Sequence, residues 1–374
     1  MIPGIISSLP KDLNILVLTK VSHNIEEIVN VFNNRGLLTS YSNSELTVLT
    51  GCKYCPEYTL QNKISCMIDS NETKKLKRQI NHLKLKSFEQ NSEEISNQIK
   101  KLESEFTERK KAKDELKKKI IDNSKIVLTT VDYLEELTEN SFHTLIIDDA
   151  HSISELFCLY AFSLGIQKCI LLSDSHVLTT KSYNKSLFQR LENICPVTIL
   201  NFQFRINPEI VKILTPFYGN KVVNCENFSK KSELPPLLFF KTKNNEELIT
   251  CSIKLLSGIL GKITEPNSQI GILTFSNKLK DELTSKSTKD TRVLIDTYTG
   301  FQGIQVDYLI FLAFSENVKV LESAHSVIYS ISRASCSLYI LGDFEILFKI
   351  STWSKLLEIL KLEKLIKSHS EIPF

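Results

Sequence analysis

Ten short apolar runs recur along the chain and constrain its fold more than any other feature. Each run is long enough for one strand. Each is almost continuously hydrophobic, which is typical of strands buried on both faces of a parallel sheet. The pattern predicts strands at residues 15–18, 126–128, 145–147, 170–172, 197–200, 237–240, 270–275, 293–295, 309–314 and 338–341.

Helical segments lie between many of these runs, for example at residues 25–32 and 208–217. Repeated strand–helix units predict an α/β fold in which helices cover both faces of parallel sheets. Ligands of such sheets bind beyond the carboxyl ends of the strands. The residues that follow each predicted strand are therefore the first place to look for functional side chains.

Residues 72–122 interrupt this pattern, because they contain no strand candidate and are rich in Lys and Glu. Leu76, Ile80 and Leu83 form an apolar stripe with helical spacing, and residues 95–106 repeat that spacing. Asn91 with Glu94 matches a capping box. We expect two long antiparallel helices, an insertion at about residues 70–122. Its lysines either form a solvated face or also reach nucleic-acid phosphates.

The length of 374 residues fits two domains, each with its own core. We place the boundary between residues 194 and 195, so that 1–194 and 195–374 form the two domains. Apolar residues make up 42% of the chain and charged residues 24%, a globular composition. The net charge of +3 gives no global basic field, so any nucleic-acid surface must be local.

Three observations bear on the cellular location. No apolar stretch approaches the roughly 20 residues that span a bilayer. The N-terminus has neither the basic start nor the long apolar run of a signal peptide. The nine cysteines are odd in number and scattered, which fits a reducing compartment. We therefore expect an intracellular protein of the nucleus or cytoplasm that does not bind membranes.

The strand predicted at 145–147 ends in two adjacent carboxylates, Asp148 and Asp149. Nucleotide-hydrolysing domains use such a pair to bind a metal ion and to orient water. Alone, two acids after a strand also suit an ordinary helix cap. Further segments follow in order: Ser173-Asp174, Gln203-Phe204-Arg205-Ile206-Asn207-Pro208, Phe301-Gln302-Gly303 with Asp307, and Ser332-Arg333-Ala334.

This ordered series resembles the superfamily-1 helicases, in the branch of the nonsense-mediated-decay helicase and senataxin. Residues 148–151 resemble the Asp-Glu-Ala-Gln or Asp-Glu-Ala-His motif of these enzymes, and residues 172–178 resemble their Gly-Asp-x-x-Gln-Leu motif. Residues 203–208 resemble Gln-Tyr-Arg-Met-His-Pro, 301–307 resemble Phe-Gln-Gly-Arg-Glu-x-Asp, and 332–334 resemble Thr-Arg-Ala. The resemblance spans nearly the whole chain.

The resemblance implies two RecA-like domains of the P-loop-NTPase type that hold ATP and Mg²⁺. Asp148 would coordinate Mg²⁺, and Asp149 would orient the attacking water. Arg205 and Arg333 would act as arginine fingers. Phe204 replaces a tyrosine that stacks on adenine in the family. Gln302 and Gly303 would couple the nucleotide site to the nucleic-acid strand. The other implied nucleotide contacts are Asp174 and Gln203.

The resemblance also implies a single-stranded nucleic-acid partner, RNA more than DNA, bound across the carboxyl ends of both sheets. The candidate contacts are Ser22 and His23 after the first predicted strand, and Thr129 and Thr130 after the second. The same residues also suit helix caps, so both interpretations stay open. Protein partners stay open as well.

One family motif is missing from these 374 residues. They contain no Gly-x-x-x-x-Gly-Lys-Ser/Thr loop, which would hold the β- and γ-phosphates. Val177, Thr299 and residues 304–305 also depart from the family motifs, and Asp149 is shorter than the family glutamate. The first domain is therefore expected to be incomplete at its N-terminus. Either the chain is an incomplete helicase, or it is a non-catalytic helicase-like binding or scaffold protein, and its enzymatic activity stays open. We expect weak or absent ATP binding by this chain alone.

Overall fold

The computed structural model describes residues 1–34, 41, 44–50, 56–67, 70–89, 93–138, 140–174, 186–218, 222–224, 234–287, 289–301 and 303–372. These residues fold into two compact units. The first runs from Met1 to Ser173 and also includes the segment that ends at Leu191, described from residue 186. The second contains Asp174 and the chain from Glu192 onward. In the described ranges, no helix has both the length and the apolar character needed to cross a membrane.

The first unit is built on a five-stranded parallel sheet in the order β2-β3-β1-β4-β5. Four of these strands are buried along their whole length, whereas β5 is partly exposed at one edge. Burial on both faces explains why their sequences are continuously apolar. The strands are β1 (Ile15–Thr19), β2 (Leu46–Val48), β3 (Ile126–Thr130), β4 (Thr144–Ile147) and β5 (Lys168–Leu171).

Helices cover both faces of this sheet and pack on two separate apolar clusters. One cluster joins α1 (Ile2–Ser8) and α2 (Ser22–Asn34) to the sheet. The other joins α3 (Leu60–Met67), α6 (Glu155–Phe162) and α7 (Leu187–Leu191) to the opposite face. Short 3₁₀ helices lie at Pro56–Tyr58, Val131–Leu137 and Ala150–Ser152.

The predicted helical insertion is confirmed as α4 (Ser70–Glu89) and α5 (Glu93–Asp122). Leu76 and Ile80 are buried, as expected for an apolar stripe that faces a partner. Lys84 Nζ lies 2.7 Å from Glu103 Oε1 and joins the two helices across the hairpin. Most of the other charged side chains described on this hairpin are exposed, which makes it a polar arm of the first unit.

The second unit contains a six-stranded parallel sheet in the order β10-β9-β11-β12-β8-β13, so parallel sheets in both units confirm the α/β prediction. Trp353 is fully buried in its core, where its Nε1 donates to Leu321 O at 3.0 Å. The strands are β8 (Leu237–Lys241), β9 (Ile270–Thr274), β10 (Val293–Thr297), β11 (Val306–Leu312), β12 (Ala334–Gly342) and β13 (Ile366–Ser368). The helices are α8 (Pro208–Lys212), α9 (Thr215–Tyr218), α10 (Asn245–Lys262), α11 (Asn277–Lys286), α12 (Val318–Glu322), α13 (Ala324–Ile331), α14 (Phe344–Phe348) and α15 (Ser351–Leu362).

The prediction of a strand at residues 197–200 is wrong. Val197, Ile199 and Leu200 are 58–68% exposed and pair with no strand among the described residues. Instead, Phe202–Gln203 forms β6 and pairs with β7 (Val223–Asn224) in a small parallel ladder. Apolar character alone does not make a strand, because a strand also needs a neighbouring edge to bond to. The short strands β2 and β13 were not predicted from the sequence.

Candidate functional site

The two carboxylates after β4 lie on a sharp backbone turn at the carboxyl edge of the first sheet. Asp149 adopts the left-handed conformation, with φ 48° and ψ 45°, which Asp tolerates better than most residues. Its carbonyl accepts hydrogen bonds from Ser152 N at 2.7 Å and Ser152 Oγ at 2.8 Å. The turn carries the chain away from the sheet and leaves Asp148 and Asp149 together at the strand end.

Burial and negative neighbours raise the pKa of Asp148 to about 6. Loss of hydration is the largest cause, the charge of Asp149 comes next, and Glu27 adds a smaller contribution. Asn24 is buried on α2, and its Nδ2 donates to Asp149 Oδ2 at 3.3 Å. These groups concentrate negative charge with few hydrogen-bond donors, so a bound cation would stabilise the ionised pair.

Hard oxygen ligands of this kind fit Mg²⁺, which usually takes one or two carboxylates and keeps waters or substrate phosphates as its other ligands. Within the ranges that the structure describes, no group of three or more His, Cys, Asp or Glu side chains is arranged to hold a metal ion. Asp148 and Asp149 therefore fit an open Mg²⁺ site, in which other ligands come from outside the protein. They do not form a closed protein cage.

Ser173 and Asp174, which follow β5, each make a side-chain hydrogen bond. Ser173 Oγ lies 3.0 Å from Nδ1 of His151, which joins it to the segment after Asp149. Asp174 Oδ2 accepts a hydrogen bond from Tyr218 OH at 2.6 Å. Burial, followed by the charge of Asp174, raises the pKa of the Tyr218 hydroxyl, so it stays a donor to the carboxylate. The matched residue Leu178 lies outside the described residues.

Gln203 holds the turn that carries Phe204 and Arg205. Its Oε1 accepts from Arg205 N at 3.0 Å and Ile206 N at 2.8 Å, and its Nε2 donates to Ile206 O at 2.7 Å and Asn224 Oδ1 at 2.9 Å. The side-chain amide is therefore occupied by the turn itself. Phe204 is 67% exposed, as a ring available for stacking must be.

The two predicted arginine fingers converge on adjacent residues of the second unit. Arg205 Nε donates to Gln305 Oε1 at 2.7 Å, and Arg333 Nη1 donates to Ile304 O at 3.3 Å. Both acceptors are neutral, so neither contact cancels the charge of the guanidinium. Two arginines that are more than 100 residues apart in the sequence thus bond to adjacent residues. The role of Gln305 was not predicted, and its only sequence signal is that it stands where the family has Glu.

Gly303 lies next to this pair and has a φ of 78°, which glycine adopts without strain. Its N–H donates to the hydroxyl of Tyr329 at 3.0 Å, and the same hydroxyl donates to Phe301 O at 3.0 Å. The predicted site residue Gln302 lies outside the described residues. The role of Tyr329 was not predicted from the sequence.

The four predicted nucleic-acid contacts lie at the carboxyl ends of β1 and β3, which are neighbours in the sheet. Ser22 is exposed at the start of α2, and His23 is partly exposed with its Nδ1 3.5 Å from Glu26 Oε2. The side chains of Thr129 and Thr130 are buried, and Thr129 Oγ1 donates to Thr130 O at 3.2 Å. Ser22 and His23 are therefore the two that lie on the surface.

Two family models, each described as an AAA domain, match residues 19–179 and 183–345 in succession. Helicase sen1 of Schizosaccharomyces pombe is 26% identical over 326 residues, which cover 72% of this chain and 19% of that protein. Regulator of nonsense transcripts 1 of Dictyostelium discoideum is 25% identical over 268 residues, which cover 60% of this chain and 20% of that protein. The chain thus spans about a fifth of the length of these relatives.

Among solved structures, the complex of Arterivirus nonstructural protein 10 (helicase) with DNA matches 93% of this chain and 58% of its own, with a TM-score of 0.47 and 8% identity. The successive family matches, together with the two parallel sheets, confirm two RecA-like α/β domains. By these matches and its helicase relatives, the chain belongs to the superfamily-1 helicases, in the branch that includes the nonsense-mediated-decay and senataxin-type enzymes.

Proposed function

We propose that this chain is part of an ATP-dependent superfamily-1 helicase that acts on single-stranded nucleic acid, RNA in preference to DNA. The observation that carries the proposal is a pair of hydrogen bonds. Arg205 bonds to Gln305 and Arg333 bonds to the adjacent residue, Ile304. Only seven arginines occur in the chain, and two of them stand at these motif positions, which supports a role for their positive charge on a transferring phosphoryl group.

The acidic pair supplies the complementary chemistry in this proposal. Asp148 would hold Mg²⁺, and Asp149, which accepts a hydrogen bond from Asn24, would orient the attacking water. Bound Mg²⁺ would neutralise charge on the phosphates when it is present. Arg205 and Arg333 stabilise the negative charge that develops on the transferred group. Asp174, Gln203, Phe204, Gln302 and Gly303 complete the proposed nucleotide and coupling contacts.

The helical hairpin supports the choice of a nucleic-acid partner. Residues 70–122 carry 15 basic and 10 acidic side chains, whereas the whole chain carries 46 and 43. The excess of basic charge is therefore concentrated on this arm, and Lys110, Lys111 and Lys113 are exposed on it. Together with Ser22 and His23, these lysines are proposed to contact the phosphate backbone, so the affinity should fall as the salt concentration rises.

We also propose that this chain alone binds ATP weakly, because its sequence contains no phosphate-binding loop. Isothermal titration calorimetry with ATP and Mg²⁺ tests this directly. Tight Mg²⁺-dependent binding would refute it. Fluorescence anisotropy with labelled single-stranded RNA and DNA of the same sequence tests the partner, and equal or stronger binding of the DNA would contradict the preference for RNA.

Nucleic-acid-stimulated ATP hydrolysis separates this proposal from a second one. The departures at Val177, Thr299 and residues 304–305 favour a non-catalytic helicase-like protein that binds nucleic acid or serves as a scaffold. Hydrolysis that RNA stimulates and that both Asp149→Asn and Arg333→Ala abolish supports the enzyme. RNA binding without any hydrolysis, at an ATP concentration high enough to saturate a weak site, supports the scaffold. Hydrolysis that survives both substitutions contradicts the assigned site.

A further inference from the structure

Tyr329 contacts two of the helicase motif segments at once. It lies on α13, and its hydroxyl bonds to the backbone on either side of position 302: it accepts from Gly303 N and donates to Phe301 O, both at 3.0 Å. These two bonds use the donor and one acceptor position of the phenol. Phe301 and Gly303 are therefore both anchored to α13 by one side chain.

The face of the same ring supports Arg333. The guanidinium carbon lies 4.1 Å from the centroid of the Tyr329 ring, which is cation–π geometry. Arg333 Nε donates to the carbonyl of Tyr329 at 3.2 Å, and its Nη2 donates to Ser332 Oγ at 3.0 Å. With the bond from Nη1 to Ile304 O, these contacts hold the guanidinium against α13.

The ring of Tyr329 is itself held in one orientation. Tyr298 packs against it edge to face, with ring centroids 5.1 Å apart and an interplanar angle of 72°. Tyr298 directly follows β10. The Tyr329 ring therefore contacts the end of this strand through Tyr298, and its hydroxyl contacts Phe301 and Gly303. The packing of Tyr298 opposes rotation of the Tyr329 ring, and the two hydroxyl bonds fix its outer end, so the ring face stays against Arg333.

We propose that Tyr329 is a positioning residue that couples Arg333 to the backbone of Phe301 and Gly303. Any movement of Arg333 off the ring, such as on binding a phosphate, would remove the contact that helps to fix the ring. The hydroxyl bonds to Phe301 and Gly303 then weaken. Movement of Arg333 therefore loosens the backbone of these two residues, which flank the proposed coupling residue. The inference deepens the proposed function and rests on it for the roles of Arg333 and Gln302.

Hydrogen exchange at the Gly303 amide and chemical modification of Arg333 test the coupling without nucleotide or RNA. Tyr329→Phe keeps the ring and removes the hydroxyl, so Gly303 exchange should rise about tenfold, and modification of Arg333 by phenylglyoxal should rise by a smaller factor because the coupling is reciprocal. Tyr329→Leu removes ring and hydroxyl, so both rates should rise. Arg292, held by Asp290 through Nε at 3.1 Å and Nη2 at 2.8 Å, is the internal reference.

Arg333→Ala gives the decisive comparison. It should speed Gly303 exchange when Tyr329 is present and should have no further effect in the Tyr329→Phe background. An equal effect in both backgrounds would show that Arg333 acts through Ile304 alone and would overturn the proposal. Tyr339→Phe is the matched control, because it removes a hydroxyl bond of 3.1 Å to Pro235 O elsewhere in the same unit. Gly303 exchange should not change in it.

Binding of a labelled poly-uridine oligonucleotide extends the test to function. Tyr329→Phe should weaken binding several-fold, and Tyr339→Phe should not. If the wild-type chain does not bind the oligonucleotide, the proposed function fails while the exchange and modification results still decide the coupling. Unchanged Gly303 exchange in Tyr329→Phe refutes the coupling, whether or not RNA binds.

Discussion

Replacing Asp148 by asparagine tests the electrostatics at the carboxyl edge of the first sheet. Burial, the charge of Asp149 and that of Glu27 together raise the pKa of Asp148 from 3.8 to about 6. The charged form is therefore disfavoured in the folded chain. Asparagine has nearly the same shape without the charge, so we expect Asp148→Asn to stabilise the protein at neutral pH.

The magnitude follows from the difference between the two pKa values. A rise from 3.8 to about 6 corresponds to a free-energy difference of about 3 kcal/mol. Local relaxation and water reduce this figure, so a gain of roughly 1–3 kcal/mol is expected. A carboxyl with a raised pKa stabilises the fold in its protonated form. That contribution is complete below 3.8 and is lost as the pH rises through about 6.

The assay is urea unfolding of wild type and Asp148→Asn at a series of pH values between 4 and 8. The difference between the two free energies of unfolding isolates Asp148 from all other titrating groups. This difference should grow up to about pH 6 and then level off. Asp149→Asn is the control, because it keeps the Asp148 charge and removes one of the neighbours that raise its pKa, so it should give a smaller gain. A variant less stable than wild type at pH 8 would refute the reasoning.

Magnesium gives an independent measure of the same charge. Mg²⁺ needs the ionised carboxylate, so it should raise the melting temperature of the wild type at pH 7.5 and lose that effect below about pH 6. Asp148→Asn should show little response at either pH. An equal Mg²⁺ response in both proteins would place the ion elsewhere.

Three further substitutions test contacts in the second unit. Gln305→Glu should convert the hydrogen bond with Arg205 into an ion pair and so slow the reaction of Arg205 with phenylglyoxal. The gain in stability should be only about 0.2–1 kcal/mol. An unchanged reaction rate would contradict the contact. Gly300→Ala should lower the free energy of unfolding by about 1–3 kcal/mol, because an added Cβ would overlap the carboxylate of Asp296, and a neutral effect in urea unfolding would argue against that packing. Trp353→Phe should cost about 1–3 kcal/mol, since it leaves a buried carbonyl without its donor; wild-type stability in the same assay would be the contrary result.

Local sequence patterns were enough to predict many elements of the fold. Continuous apolar runs predicted nine of the parallel strands, because a strand buried on both faces needs apolar residues at every position. The stripe containing Leu76 and Ile80 predicted the hairpin helices for a similar reason, since helical spacing brings those residues to one face. The acids after β4 were found because the end of a buried strand fixes where the next side chains must lie.

Features that depend on neighbours distant in sequence could not be predicted and are seen only in the folded chain. Residues 197–200 have the composition of a strand and form none, because pairing is a property of two segments. The partners of Arg205 and Gly303 lie 100 and 26 residues away, so no local pattern identifies Gln305 or Tyr329. The raised pKa of Asp148 likewise comes from burial and from the charges around it, which exist only once the chain has folded.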